Sequence, residues 1–208
     1  MSLNLVKFRR TRPYLYHLTA NGNLPMIRSE RVLLSAARLL SGSPELLLQK
    51  RTGCLVIQRD GAVVRIRDQA PLHKGNIRFE DGWNFERFLC CLNERVFFWP
   101  GDGNGPISYG MRHYRRYKEE NPVILRVPFN ELVAENSVCP PQFCRYNSGS
   151  PRCSGGIGSL RGPRTFLHAE DAGFSPGSVV EVAFLNQVAL PSSVQQSPSP
   201  NGPWTPLQ

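Results

Sequence analysis

The segment "RVFFWPG", residues 95–101, constrains the fold most, because it is apolar almost throughout and contains a proline. A short apolar run of this length, bounded by a turn residue, is typical of a buried β-strand, and we expect it to end at Pro100. The preceding "WNFERFLCCLNE" has apolar residues at helical spacing. The sequence therefore predicts a helix that leads directly into a buried strand.

Other short segments have equally clear patterns. "YLYHLT" predicts an aromatic strand, "NLPMIRSERVLLSAARLL" one or two short helices, and "ISYGMRHYRRYKEE" a helix with a basic, aromatic face. β-Branched residues flank Asp60-Gly61, which predicts a hairpin from about Cys54 to Ile66. "VILRVPFNELV" and "VVEVAFLNQVAL" predict two later strands. Short strands interspersed with short helices indicate an α+β fold.

At 208 residues, the chain is long enough for one hydrophobic core and short for two. We predict a basic leader over residues 1–13, one domain over 14–191, and a tail over 192–208. The tail is rich in Ser, Pro and Gln, which predicts that it is disordered. The Pro- and Gly-rich segment of about 40 residues from Cys139 predicts a long loop that is either functional or disordered.

The basic charge is concentrated in the first third of the chain. The net charge is +9, and residues 1–78 hold 14 Lys and Arg against 4 Asp and Glu. Such an excess favours binding to a polyanion such as nucleic acid, although a solvated basic face would have the same composition.

We expect a cytoplasmic protein, because no apolar run has the length of a membrane span and the leader lacks a signal-peptide core. Reduced thiols are the expectation for the six cysteines in that compartment. The spacing of Cys139, Cys144 and Cys153, with His168 as a fourth ligand, matches none of the paired short zinc loops, so we predict no metal site.

Two polar residues in strand-like segments are candidates for chemistry. Glu181 is a single acid among valine, alanine and phenylalanine, and it is either on the wet face of a sheet or placed to stabilise a developing positive charge. His17 and Thr19 end the first aromatic strand. They offer a donor and an acceptor for a nucleotide ribose, or are structural.

The order of these segments resembles the ADP-ribosyltransferase superfamily. The resemblance rests on an early "YHLT" followed by "NLPMI", a central "RVFFWP" and a late "VVEVAF". Within the superfamily, "YHLTANGNLPMI" and "VEVAFLNQVALP" look most like the DarT-type nucleic-acid ADP-ribosyltransferases. "IRDQAPL", "LNERVFFW", "YNSG" and "RGPRTF" also look like an uncharacterised bacterial family, which we expect to be a branch of the superfamily.

The resemblance implies a single-domain split β-sheet with flanking helices, and NAD as a substrate. It implies that Glu181 is catalytic, that His17 binds the adenosine ribose, and that the Thr19 backbone holds nicotinamide. The central-strand position falls on Phe97, Phe98 or Trp99, where many relatives have tyrosine. This chain therefore lacks that hydroxyl and keeps only the stacking surface.

Further residues follow from the same expectation. Arg67, Arg95 and Arg161 lie in family-like segments and have the guanidinium forks that suit the pyrophosphate. Asn147 and Ser148 belong to a loop expected to contact the acceptor. The acceptor surface is predicted to include three basic leader residues, Arg9, Arg10 and Arg12.

The resemblance predicts transfer of ADP-ribose to a nucleic-acid base, as in a toxin or a defence protein, with an antitoxin or immunity protein as a partner. Two alternatives stay open. One is an NAD-dependent enzyme that removes a 2′-phosphate from RNA, which would need several arginines and little use of Glu181. The other is a basic nucleic-acid-binding module without activity, in which His17 and Glu181 are structural.

Overall fold

The structure, a computed structural model, describes residues 2–208. The helices are α1 Leu5–Thr11, α2 Leu24–Glu30, α3 Ala36–Leu39, α4 Phe85–Asn93, α5 Ser108–Tyr117 and α6 Phe129–Glu135. The strands are β1 Tyr14–Ala20, β2 Val32–Leu34, β3 Leu55–Arg59, β4 Ala62–Ile66, β5 Ile77–Phe79, β6 Arg95–Asp102, β7 Gly105–Pro106, β8 Pro122–Pro128, β9 Gln142–Cys144, β10 Ser159–Arg161, β11 Glu181–Leu185, β12 Gln187–Ala189, β13 Gln195–Ser197 and β14 Thr205–Pro206. Within residues 2–208, no helix is long and apolar enough to cross a bilayer.

One antiparallel sheet of eight strands organises the molecule. Its order is β14-β13-β8-β1-β6-β11-β9, and β7 pairs with β6. Three smaller sheets surround it: β3 with β4, β2 with β12, and the parallel pair β5 with β10. The predicted single α+β domain is confirmed.

The central sheet opens between β1 and β6. These two strands pair only where Tyr14–Tyr16 face Trp99–Gly101, whereas β1 pairs with β8 along its whole length. The first half of β6 pairs instead with β11. His17 is therefore the first residue of β1 beyond the point where the two strands separate.

Apolar side chains cover both faces of the sheet. On one face, a core of 22 buried residues includes Phe98, Leu125 and Phe184, each 0% exposed. On the other face, α4 contributes Phe88 and Leu89 to a smaller cluster that also contains Ala183. Side chains alternate along a strand, so Glu181 lies on the same face as Ala183 and opposite Phe184.

Several predicted elements form as expected. The hairpin is β3–β4, and Asp60 and Gly61 both have positive φ, as a two-residue turn of this type requires. The predicted helices over residues 83–94 and 107–120 are α4 and α5. The segment predicted to hold one or two helices forms α2 and α3, with β2 between them.

Two element boundaries were predicted wrongly. The strand β6 continues through Pro100 to Asp102, because the Pro100 carbonyl still accepts a hydrogen bond from Ile107 N–H (3.0 Å) although proline has no N–H to donate. The strand predicted over residues 123–133 ends at Pro128, where α6 begins. Phe129 and Leu132 are at helical spacing and are buried, which stabilises a helix rather than a longer strand.

Both chain ends belong to the fold, so the predicted limits of 14–191 are too narrow. In the leader, Asn4 caps α1, and Phe8 is fully buried against Phe129 (5.2 Å between ring centroids). The expectation of a disordered tail is wrong: β13 pairs with β8, and Val194 and Leu207 are 0% and 4% exposed. A free sheet edge and a few apolar side chains suffice to order a segment that has no periodic apolar pattern.

Candidate functional site

A cleft of about 260 Å³ opens where β1 and β6 separate. Strands β1, β6 and β11, helix α5 and the loop after β9 all contribute side chains. The polar and aromatic residues that line it include His17, Arg51, Arg67, Asn93, Phe97, Trp99, His113, Tyr117, Asn147, Ser148 and Glu181. The cleft thus collects residues from distant parts of the chain.

Glu181, the first residue of β11, is only 4% exposed and lines this cleft. Burial raises the pKa of its carboxyl to about 7, against the opposing effects of hydrogen bonds from Ser148 and of the positive charge on Arg161. A carboxyl with this pKa exchanges a proton near neutral pH, which is typical of groups at functional sites.

Ser148 holds this carboxyl in place. Its backbone N–H donates to Oε1 (3.1 Å) and Oε2 (3.2 Å) of Glu181, and its hydroxyl donates to Oε2 (2.5 Å). These bonds favour the ionised carboxylate and fix its orientation. A carboxylate has about four acceptor positions, so Glu181 can still accept a hydrogen bond from a ligand.

A contact with β6, on the other side of the opening in the sheet, orients the imidazole of His17. Its Nδ1 lies 2.9 Å from the carbonyl oxygen of Phe97. A carbonyl can only accept, so Nδ1 carries the proton and Nε2 of the neutral ring is an acceptor. Burial lowers the pKa of His17 to about 4, partly offset by the Phe97 bond and reinforced by Arg67. The imidazole is therefore neutral at pH 7.

Three rings packed at tilted angles and one guanidinium form one side of the cleft, which we call the aromatic wall: Trp99, His113, Tyr117 and Arg67. The centroid of His113 lies 4.7 Å from that of Trp99 and 4.8 Å from that of Tyr117. The Arg67 guanidinium lies over Tyr117 (4.2 Å) and pairs with Glu120 (3.1 Å). Burial, with the charges of Arg67 and Arg116, lowers the pKa of His113 to about 3, so this ring is also neutral at pH 7.

A network of polar side chains at the C-terminal end of α4 supports the cleft. Asn93 is 2% exposed; its Oδ1 accepts from Arg51 Nη1 (2.7 Å) and Gln69 Nε2 (3.2 Å). Its Nδ2 donates to the Leu47 carbonyl (2.9 Å). Every polar atom of the Asn93 side chain is thus satisfied, which fixes this part of the cleft.

A larger chamber of about 820 Å³ adjoins the cleft, and His17 and Arg67 line both. Thr19 lies on this side and is 6% exposed. Its hydroxyl accepts a hydrogen bond from Asn23 Nδ2 (3.2 Å), so it braces the turn after β1. Together the two spaces form an elongated site, with His17 where they meet.

The structure thus brings together many of the residues that the sequence predicted. Glu181, His17, Arg67, Arg95, Phe97, Trp99, Asn147 and Ser148 line the cleft, and Thr19 lines the adjoining chamber. The side chain of Arg95 is already engaged: it donates to the Gln142 amide (3.0 Å) and the Cys91 carbonyl (2.5 Å), and it stacks on Phe166.

The structure places other predicted residues elsewhere. Phe98 is fully buried in the main core, because alternation along β6 turns it away from Phe97 and Trp99. Arg161 is 1% exposed and stacks on Tyr146 (4.2 Å), with its Nη1 donating to Ser159 Oγ (2.6 Å). It acts on Glu181 through its charge rather than by lining the cleft.

The three leader arginines also lie apart from the cleft lining. Arg9 and Arg10 are exposed on α1, and Arg9 lies over Phe129 at 6.0 Å. Arg12 lines a separate shallow pocket beside Asp102 and Ser108.

Sequence reasoning missed several residues of the cleft, among them Arg51, Asn93, His113 and Tyr117. A signal existed only for the last two, since the predicted α5 had an aromatic face. Arg51 and Asn93 lie in unrelated segments, and only folding brings them together.

The cysteines do not converge on a metal site. Cys144 is buried beside Glu181, whereas Cys153 is exposed and contacts Asn76. The six cysteines are free thiols. Among residues 2–208, no three His, Cys, Asp or Glu side chains are grouped closely enough to hold a metal ion.

A comparison with protein families connects this arrangement to other chains. Residues 13–194 match the model of DUF7002, a family of unknown function. The chain belongs to this family. The match begins at the residue before β1 and ends after β12, so it includes every cleft residue described above. No curated protein and no solved structure matches the chain.

Proposed function

We propose that this protein is an NAD-dependent mono-ADP-ribosyltransferase, a glycosyltransferase that modifies a nucleic-acid base. The main support is that His17 and Glu181, which lie at opposite ends of the sequence, line one cleft where the sheet opens. The resemblance of the sequence to the ADP-ribosyltransferase superfamily assigns ribose binding and catalysis to these two residues. A buried carboxylate opposite a neutral histidine suits that chemistry.

In the proposed reaction, the bond between the ribose C1′ and the nicotinamide nitrogen breaks, and nicotinamide leaves with the electron pair. The ribosyl group becomes an oxocarbenium-like cation, which the Glu181 carboxylate stabilises through a hydrogen bond from a ribose hydroxyl. A nucleophilic atom of the acceptor base then bonds to C1′, and its proton passes to water. The hydrogen bonds from Ser148 favour the ionised form of this carboxyl and orient it.

The remaining cleft residues bind the dinucleotide. The free Nε2 of His17 accepts a hydrogen bond from the adenosine ribose, while the backbone at Thr19 holds nicotinamide. Phe97 and Trp99 offer stacking surfaces from the central strand. Arg67 is the best-placed cation for the pyrophosphate, because its guanidinium is partly exposed and its partner Glu120 lies at the surface.

The alternative of an RNA 2′-phosphate transferase receives less support. Three arginines line the cleft, but Arg51 and Arg95 already bond to Asn93 and Gln142, which leaves only Arg67 for a phosphate. Such an enzyme would not need a buried carboxyl held by three hydrogen bonds. The non-enzymatic alternative, in which Glu181 is purely structural, also receives less support. Burying a carboxyl with a pKa of about 7 lowers the stability of the fold at neutral pH.

By the same resemblance, the activity is that of a toxin or defence protein, and an antitoxin or immunity protein is the expected partner. No membrane component is part of the proposal.

The decisive experiment replaces Glu181 with glutamine, which keeps the size of the side chain and removes its charge. We expect NAD binding to persist and both NAD hydrolysis and transfer of tagged ADP-ribose to fall about a hundredfold or more. Glu45→Gln, at an exposed glutamate that is not part of the cleft lining, is the matched control and should behave like the parent. Equal turnover in the Glu181→Gln variant and the parent would refute the proposal.

A further inference from the structure

Helix α5 has two functionally different sides. Residues advance about 100° around an α-helix, so His113 and Tyr117, which line the cleft, share one side. Tyr109, Arg112 and Arg116 follow along the adjacent flank of the helix, next to the side that lines the cleft. Arg115 projects from the opposite side of the helix.

The arginines of this helix are exposed and have no acidic partner. In the described part of the chain, the ion pairs within 4.0 Å involve Arg59, Arg67, Arg95 and Lys118 but not the arginines of α5. Arg112 stacks on the ring of Tyr109 at 4.4 Å, which makes a planar cation and aromatic pair at the surface. The flank is therefore a positive surface available to a ligand.

The charge on this flank reaches into the cleft. Arg116 contributes to the lowered pKa of His113, and it opposes the rise in the pKa of Tyr117 to about 12. An anion bound along the flank would thus lie next to the aromatic wall.

We infer that Tyr109, Arg112 and Arg116 form the surface that binds the phosphate backbone of a single-stranded nucleic acid at the mouth of the cleft. Arginine forks suit phosphate oxygens, and an aromatic ring beside them offers a stacking surface for a base. A single strand fits because its bases are free to leave the backbone and enter a narrow cleft. The inference rests on the proposed function, since it names where that reaction receives its acceptor.

This assignment differs from the one that composition favoured. Charge counts pointed to residues 1–78 and to Arg9, Arg10 and Arg12. Arg9 and Arg10 are exposed on α1, where Arg9 lies over Phe129, and Arg12 lines a different pocket. Arg9 and Arg10 together carry the same charge as Arg112 and Arg116 but lie on another helix, so they serve as a comparison.

The test uses the full chain and short fluorescent single-stranded DNA and RNA oligonucleotides. In the double variant Arg112→Glu/Arg116→Glu, we expect affinity to fall about tenfold or more at low salt. We also expect the slope of log affinity against log salt to flatten by about 1.4, as for the loss of two contacts with phosphates of a single strand. The preferred oligonucleotide then identifies the acceptor as DNA or RNA.

Two control variants test whether the position of the arginines, rather than the net charge of the protein, determines binding. Arg115→Glu changes the same helix on its other side, and Arg9→Glu/Arg10→Glu reverses the same number of charges on α1. Each should weaken binding by less than about threefold, with the salt slope nearly unchanged. The inference is wrong if the flank variant binds like the parent, if either control weakens binding as much, or if only a protein becomes labelled in a lysate supplied with tagged NAD.

The outcome is independent of the test of the proposed function. Hydrolysis of NAD without an acceptor should be unchanged in the flank variant and lost in Glu181→Gln. If the parent protein binds oligonucleotides through this flank but never cleaves NAD, the inferred binding surface stands and the proposed transferase activity is refuted.

Discussion

The two sides of the cleft differ in how their polar groups are held. On one side, which we call the acid side, Glu181 and Ser148 are 4% and 2% exposed, and the carboxyl is fixed by three hydrogen bonds. On the other, the aromatic wall, His113 and Arg67 are half-buried and held by stacking. The acid side is preorganised for one charge, and the aromatic wall offers a surface to planar groups.

This difference predicts that residues of the acid side affect turnover, whereas residues of the aromatic wall affect ligand binding. Fixed hydrogen bonds aimed at one carboxylate matter most when charge develops beside it. Stacked rings contribute area and orientation to any ligand state equally, so their loss weakens binding without a selective effect on turnover.

The largest expected effect concerns the support behind the aromatic wall. Trp204, in the tail, packs on Tyr16 with ring centroids 5.7 Å apart and belongs to the cluster that contains Tyr117 and Trp99. Deleting residues 192–208 also removes β13 and the buried Val194 and Leu207. We expect a loss of about 4 kcal/mol or more in the free energy of unfolding, measured by urea denaturation. A loss below about 0.5 kcal/mol would show that the wall does not depend on the tail.

The next effect concerns the stability of the acid side as pH changes. The pKa of Glu181 is raised by burial to about 7 from an ordinary value of 4.5. The folded state therefore favours the neutral acid, and this stabilisation is complete below pH 4.5 and is lost as pH rises through 7. Relative to Glu181→Gln, the parent should lose about 3 kcal/mol between pH 4.5 and pH 8. Parallel stability curves for the two proteins would contradict the burial of a titrating carboxyl.

Burial lowers the pKa values of His17 and His113, so their contribution to stability changes with pH in the opposite direction to that of Glu181. Their stabilisation is present above pH 6.5 and is lost as pH falls towards 4. Because the parent and Glu181→Gln share these histidines, the comparison between them isolates the carboxyl.

A smaller effect should follow from Ser148→Ala, which removes the hydroxyl bond to Oε2 but keeps the backbone N–H. Loss of a donor raises the pKa of Glu181 further, so the midpoint of the rise in turnover with pH should move upward. Turnover at pH 7 should fall about tenfold, as for one charge-assisted hydrogen bond. Ser148→Thr keeps the hydroxyl and should restore the profile; NAD affinity should stay near that of the parent in both. A change in affinity alone would mean that Ser148 binds ligand and does not position Glu181.

The smallest effect should come from the aromatic wall itself. The His113 ring is neutral and stacked between Trp99 and Tyr117, so His113→Phe keeps the stack and should change NAD affinity by less than about threefold. His113→Ala removes the ring and should weaken binding about tenfold, with turnover of bound NAD nearly unchanged. If His113→Phe weakens NAD binding as much as His113→Ala does, a ring nitrogen of His113 has a direct role in that binding.

Sequence patterns predicted this protein best where a local pattern and a buried environment agree. The hairpin at Asp60-Gly61, the helix α4 and, except for its C-terminal end, the strand β6 formed as expected because turn chemistry and apolar spacing act over a few residues. The single acid in an apolar strand made Glu181 a candidate, and the structure places it in the lining of the cleft. Patterns failed at the tail, where pairing with the edge of β8 depends on a partner distant in sequence.

The sequence by itself determined many of the elements, the class of fold, and two candidate residues of the proposed site, His17 and Glu181. Only the tertiary structure decided how they meet: β1 leaves β6 after Tyr16, and this opens the sheet beside His17. It also decided that Phe98 faces the core, that Ser148 bonds to Glu181, and that α5 adjoins the cleft whereas the leader does not. The physical reason is that strand register and burial arise from contacts between segments far apart in the chain, whereas composition and periodicity report only on neighbours.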